Sequence, residues 1–385
     1  MFYAAYFAFV GLYSPFLGPY LKDRGYDLHT IAIALGMMQF VRILGPFFWG
    51  WLSDHFGHHG RWIQFGSCAG FFFSLILFFD LESSTYLFLF IFLLNISVSG
   101  LIPMSDTYCM GVCKGNAGLY GKVRLFGSLG FVLAVLGFGA VAEFVGYVAY
   151  PHWMAVTLFF SFLFSLKFQY SRSETGRSLV ELTQQQTRGM CFSIKPFSSS
   201  AMLAFWAASF FMLLAHGIFY AYYSLYLLDY HYAEFTIGGL WAFGVLCEVI
   251  FFACQTYFFQ RFSLSAWLCF GYAACAIRFL ITALFPSSLF AMVIAQSLHA
   301  LTFAAHHTAS ISWLRIHTPS ALQVRGQALY STIAYGLGGS AGALLGRYIW
   351  ESKGASMVFY GAAWAGMGAL FFGIKLHRLK SISNL

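Results

Sequence analysis

Two ionisable side chains stand in the middle of long apolar stretches, Arg42 and Glu248. Charge at membrane depth is costly, so such residues face a partner or a wet cavity. A guanidinium there can hold a carboxylate in a fork of donors, and a carboxyl there can take up and release a proton. The two positions are equivalent. Sliding the chain by 206 residues places Arg42 on Glu248 and superimposes Gly11 on Gly217, Tyr20 on Tyr226, Leu21 on Leu227, Asp23 on Asp229, Tyr26 on Tyr232, Thr30 on Thr236 and Ile31 on Ile237. Self-similarity in one register is the mark of an internal repeat. The functional reading gives Arg42 an anionic substrate and Glu248 a proton; the competing reading is a fixed ion pair. Arg278 is a rival partner for Glu248.

A second set of polar residues lies in another apolar run. His299 and His306 are seven residues apart, two helical turns, with Thr302 and Phe303 between them, so one stripe is expected to carry both imidazoles and the Thr302 hydroxyl. His307 should point elsewhere. Imidazole titrates near neutral pH and can relay protons. An interhelical hydrogen bond is the simpler use of a buried histidine. Asp106 and Arg124 close two neighbouring runs at one side of the membrane and can pair across the turn, either as a gate or as a static bridge. No metal is expected: His55, His58 and His59, or Cys109 and Cys113, make incomplete ligand sets. No cofactor is expected either, and no nucleophile, base and orienter stand at a spacing that would suggest an enzyme.

The elements that must position these groups follow from composition. With 60% hydrophobic and 9% charged residues and a mean hydropathy of +0.72, the chain cannot cover itself with a water-facing surface. A spanning helix needs about 20 apolar residues. Twelve such stretches are expected between residues 5 and 375, so the fold class is an all-α integral membrane protein. Alternation of period two is absent, which disfavours a barrel. The polar stretch Gln169 to Ser199 divides the spans equally, giving a first bundle over 1–168, a linker over 169–199 and a second bundle over 200–385. Alternate loops carry nearly all the Lys and Arg. The other side holds only Lys22, Arg24, Arg347 and Lys353, so both termini and the linker are expected in the cytoplasm and the protein in the inner membrane. The net charge of +8 then reflects topology and not nucleic-acid binding, because the basic residues are spread over separate loops. The lipid bilayer is the expected surrounding, and a monomer the expected unit. Gly338, Gly342 and Gly346 recur every fourth residue, a stripe that lets another helix approach.

The loop Gly50-Trp-Leu-Ser-Asp54-His-Phe-Gly57-His-His-Gly-Arg61 resembles the loop signature of the major facilitator superfamily, and its counterpart near Gln260, Arg261 and Ser263 lacks the aspartate and glycines. Three further stretches are similar to the 3-phenylpropionate permease group of that superfamily. They are Asp106 with Tyr120-Gly-Lys-Val-Arg124-Leu-Phe126-Gly127-Ser128-Leu-Gly-Phe131, where Phe126 replaces the usual tryptophan, then Leu298-His299-Ala-Leu-Thr302-Phe303-Ala-Ala-His306, and Arg325-Gly-Gln327-Ala-Leu-Tyr330.

The resemblance implies two pseudo-symmetric six-helix bundles around a central cavity, with Asp54 and Arg61 latching helix ends. It also implies that the first and seventh spans line the cavity, where Tyr13, Tyr20, Tyr222 and Tyr226 would suit a flat or aromatic ligand, and that the ninth span, with Arg278, is peripheral. Together these give the expected function: proton-coupled symport of a small organic carboxylate by alternating access. Substrate and Glu248 compete for Arg42, and the carboxyl that loses its cation takes up a proton. The alternatives are a nucleoside or sugar proton symporter, or a non-transporting receptor on the same fold.

Overall fold

The structure is a computed structural model, which describes residues 1–56, 59–79, 83–113, 117–168, 197–319 and 322–383. The described residues are helical throughout, with no strand among them. In the first half, α1 spans Phe2–Asp23, α2 Leu28–Phe56, α3 His59–Ser74, α4 Ser84–Ser99, α5 Leu101–Val112, α6 Ala117–Val145 and α7 Tyr150–Ser165. The second half has α8 Ser200–Asp229, α9 Glu234–Phe259, α10 Leu264–Leu284, α11 Leu289–Ser297, α12 His306–His317, α13 Gln323–Tyr330, α14 Gly339–Lys353 and α15 Ala355–Ser383. Nine described segments are long and apolar enough to cross a bilayer, and one of them, Leu119–Ser165, holds both α6 and α7. This is a multi-pass membrane protein. Residues 169–196 of the expected linker lie outside the described residues.

Helix starts are set by local chemistry. The hydroxyls of Ser83, Ser199, Ser263 and Ser288 accept from the free amides of the turns they open, as N-cap residues do. Asp27 does the same ahead of α2, accepting from the Thr30 amide at 2.9 Å, and the Thr30 hydrogen bonds hold its carboxyl below the usual range.

Three apolar runs that read as single helices are interrupted. Gly100 separates α4 from α5, where the Trp49 ring occupies the space a Cβ would need, and Trp49 Nε1 donates to the Ile96 carbonyl at 2.6 Å. The other two interruptions are π-helical. Ala300–Ala305 joins α11 to α12, and Ser331–Gly338 joins α13 to α14.

Helices before residue 168 pack chiefly on one another, as do those after 197, and the halves meet along α6 with α9, α2 with α14, and α1 with α8. The α6 and α9 backbones touch near the end of the bundle opposite the termini: a Cβ on Gly139 would lie 2.7 Å from the Glu234 carbonyl oxygen, and one on Gly238 would strike the Val135 carbonyl oxygen. Toward the end that carries the termini the same helices part, leaving an apolar crevice lined by Leu125, Phe126, Leu129 and Val132 of α6 and Leu246 and Val249 of α9. The α6–α9 seam is therefore closed at the far end and parted at the terminal end. The glycine stripe packs as expected. A Cβ on Gly338 would come 2.6 Å from the Phe210 carbonyl oxygen, and Gly342 abuts the Leu214 carbonyl, both on α8.

Candidate functional site

The polar centre of the molecule lies inside the second half. Glu248 reaches from α9 to His299, in the segment after α11, with Oε1 2.6 Å from Nε2. The other ring nitrogen, Nδ1, is 2.8 Å from the Arg278 guanidinium of α10. Arginine only donates, so Nδ1 must accept, and a neutral His299 then carries its proton on Nε2 and donates to Glu248. The three groups form one polarised row from cation to anion. Arg278 is 1% exposed. It also donates to Gln296 Oε1 at 2.9 Å and Thr302 Oγ1 at 3.1 Å, and its guanidinium lies 4.3 Å from the Phe219 ring centre. A buried charge needs this degree of pairing to be tolerated.

His216 of α8 extends the network toward the axis. Its Nδ1 donates to the Met212 carbonyl at 2.9 Å, which leaves Nε2 to accept from the Thr302 hydroxyl at 3.3 Å. The His216 ring is 6.1 Å from Tyr220. Tyr220 borders a narrow pocket between the halves with Tyr13, Ser14, Met38 and Gln39. The charged row thus stands one ring behind a narrow gap between the halves, which Leu35, Gly217, Ala221 and Ala343 also line.

Several expectations change here. Glu248 is held by His299 of its own half and, through it, by Arg278; the side chain of Arg42 lies outside the described residues. From α10 the Arg278 side chain turns inward and is the hub of the cluster, because α10 packs against the π segment beyond α11. His306 does not share the face of His299. One residue accommodated by the wider π turn rotates the next helix by about 100°, which turns His306 toward Tyr272 and Ser310, its Nε2 3.3 Å from Ser310 Oγ. His307 takes the place instead. Phe303 stacks on His299 with centroids 5.6 Å apart and on His307 at 6.2 Å, and His307 Nδ1 is 3.2 Å from the Tyr335 hydroxyl.

The tyrosines divide. Tyr13 borders the axial pocket, its hydroxyl accepting from Asn95 Nδ2 at 2.6 Å. Tyr20 donates to the Leu77 carbonyl at 2.6 Å, Tyr222 to that of Ala343 at 2.6 Å and Tyr226 to that of Thr282 at 3.0 Å. In this conformation those three tie helices together instead of meeting the polar centre. A buried phenol needs such a partner.

Of the gating residues, Asp106 and Arg124 do meet, with Arg124 Nε 3.9 Å from Asp106 Oδ1. Sequence reasoning missed Tyr3, which donates to the same oxygen at 2.6 Å. The Arg124 guanidinium lies 4.2 Å from the Phe7 ring centre. Arg61 is exposed, and the Asp54 side chain lies outside the described residues. At the far end a pair not foreseen joins the halves: Lys22 Nζ is 2.6 Å from Asp229 Oδ1. The Lys22 side chain is 51% exposed, and such pairs are worth about 0–1 kcal/mol. Reversing Lys22 to Asp should bias the far end toward opening, and Asp229→Lys added to it should restore the parent's transport rate; a double variant no better than the single one would make the contact incidental.

Comparison with known proteins agrees with this architecture. Residues 1–361 match the MFS_1 like family model, and the chain belongs to that family. That family match makes it a transporter of the major facilitator superfamily, and its fold is shared with solved transporters. The chain is 26% identical over 343 residues to the "Probable 3-phenylpropionic acid transporter" of Escherichia coli (strain K12), covering 87% of this chain and 86% of that one. It is 26% identical over 271 residues to the maltose permease of Geobacillus stearothermophilus, covering 70% and 66%. Among solved structures, the nucleoside transporter NupG superimposes with a TM-score of 0.80 at 14% identity over 98% of this chain and 96% of that one. The peptide transporter POT in complex with sulfate does so with 0.74 at 11% identity over 99% and 93%. At such identities the structural likeness speaks for the fold.

Proposed function

We propose that this transporter carries a small organic anion together with a proton, by alternating access between the two sides of the bilayer. The observation that carries the reading is the buried row Arg278–His299–Glu248, with contacts of 2.8 and 2.6 Å. An ionised Glu248 holds the Nε2–H of His299 by a charge-assisted hydrogen bond; a protonated one holds it about half as strongly. Protonation at this point therefore loosens a link among α9, α10 and the segment after α11, and α9 is also one of the helices that close the far end. One protonatable bond is coupled to one moving interface. With the termini in the cytoplasm, the parted end of the α6–α9 seam would face inward.

The substrate would bind between the halves at Tyr13, Gln39 and Tyr220, with Arg42, one turn beyond Gln39 on α2, as its counter-ion and Thr302 joining this wall to the proton site. Asp106, Arg124 and Tyr3 would form a gate at the terminal end. The proton gradient supplies the energy and no cofactor is invoked. The E. coli relative's name makes an aromatic carboxylate the first candidate, whereas the maltose permease and NupG keep sugars and nucleosides as competitors.

Uptake into sealed proteoliposomes under an imposed pH gradient tests this. Labelled 3-phenylpropionate should accumulate and be displaced by other carboxylates; accumulation of only maltose or a nucleoside would overturn the anion reading. Arg42→Gln should weaken binding of the carboxylate about tenfold or more, the scale of one charged hydrogen bond of about 1.5–3 kcal/mol, and weaken an uncharged amide analogue less. Equal losses would make Arg42 structural.

A further inference from the structure

The apolar crevice between α6 and α9 has one charged group on its wall among the described residues. Lys122, Leu125, Leu129 and Val132 recur at helical spacing, so a single stripe of α6 lines one side, with Leu246 and Val249 of α9 opposite, and Ser128 adds a hydroxyl. The cavity holds about 270 Å3. Protein does not seal it. Leu129 is 49% and Leu246 48% exposed, and Leu133 and Ile250, one residue beyond the lining on each helix, are exposed as well. At membrane depth such side chains meet acyl chains, which are as apolar as leucine.

Lys122 stands at the headgroup end of this stripe. It lies at the start of the span Leu119–Ser165, and no carboxylate of the described residues is within ion-pairing distance of it. Arg124, two residues on, is turned away to Asp106 and Phe7. A lysine in this position lays its stem along apolar surface and carries its ammonium to the headgroup layer. Ten residues separate Lys122 from Val132. That is about 15 Å of helix rise, half of a hydrocarbon core of about 30 Å. The crevice is one leaflet deep, with a cation at the headgroup end and apolar walls below it.

We propose that the crevice is a binding site for one anionic phospholipid of the leaflet at the terminal end, its acyl chain between α6 and α9 and its phosphate on the Lys122 ammonium. Apolar walls alone would accept any lipid. The cation is what selects, because a headgroup of net negative charge is attracted to it, whereas a zwitterionic one brings its own ammonium alongside. The site does not depend on what is transported. On the alternating-access reading above, a chain held in the seam must leave before the two helices can meet at this end, so the lipid favours the conformation in which they are parted.

Phosphatidylglycerol and phosphatidylcholine, each with a photoactivatable diazirine in one acyl chain, test the site when doped into phosphatidylcholine liposomes that hold the protein, with cross-linked peptides mapped by mass spectrometry. Residues 125–132 and 246–249 should take up phosphatidylglycerol about fivefold more than phosphatidylcholine, the scale of one basic residue at an anionic surface. Lys122→Gln should bring the two lipids to equal yield, and Lys122→Arg should keep the preference. Equal labelling of the parent by both lipids overturns the site and marks ordinary annular lipid; so does a preference that Lys122→Gln leaves unchanged. Absence of label from both stretches also overturns it, and means that another part of the protein covers the crevice. Gly238→Leu, whose side chain would strike the α6 backbone at the far end, separates the site from the cycle. Labelling that falls in this variant supports the preference for the parted conformation, and unchanged labelling overturns that preference while the parent's selectivity still decides the site.

Discussion

Glu248→Gln is expected to abolish proton-driven accumulation while leaving exchange of substrate across the membrane intact. The substitution keeps the volume and an oxygen that can accept from His299 Nε2, so the 2.6 Å contact changes from a charged to a neutral hydrogen bond, a loss of about 1 kcal/mol. The fold should survive. What disappears is the ability to change charge. A one-proton carrier concentrates a monoanion about tenfold per pH unit, since one unit corresponds to about 1.36 kcal/mol; a glutamine cannot draw on that gradient. Entrance counterflow, which needs binding and reorientation but no net proton movement, should proceed within about twofold of the parent, inside the range of a roughly 0.4 kcal/mol perturbation. Accumulation equal to the parent's would remove Glu248 from the coupling site. Failure of counterflow as well would make it structural.

Gly238→Leu is expected to stop turnover by a different route. Gly238 on α9 faces the Val135 carbonyl of α6, and Gly139 faces that of Glu234. The obstructing atoms are backbone, which cannot step aside by changing rotamer. Overpacking typically costs about 1–3 kcal/mol, and here the cost falls on the conformation closed at the far end alone. That is a shift of about 5- to 150-fold toward the opposite state. The crevice lined by Leu129 and Leu246 should then be the one to shut. A cysteine introduced at Leu129 would report it: labelling by a membrane-permeant maleimide should fall in the Gly238→Leu background, whereas unchanged labelling with normal transport would mean that α6 and α9 do not need to touch.

Much of the architecture was legible because it is dictated by solvent. A chain with a mean hydropathy of +0.72 must place its helices in lipid. The Gly338, Gly342 and Gly346 stripe and the pairing of Asp106 with Arg124 were legible for a related reason, being consequences of helical spacing and loop length. The identity of Glu248's partner was not. Its choice between Arg42 and a neighbour in the same half depends on how α9, α10 and the segment after α11 converge, which no one-dimensional pattern encodes.

The histidines show the limit most clearly. Seven residues return a side chain to the same face only while the turn holds 3.6 residues, so the spacing of His299 and His306 promised a shared stripe. The π segment Ala300–Ala305 adds a residue to that turn and hands the position to His307. By itself, then, the sequence determined which polar groups lie at membrane depth, because the bilayer penalises every charge alike wherever it stands along the chain. Only the tertiary structure decided which of them meet, because meeting depends on local helix winding and on the packing of neighbouring spans, to which an apolar run is indifferent.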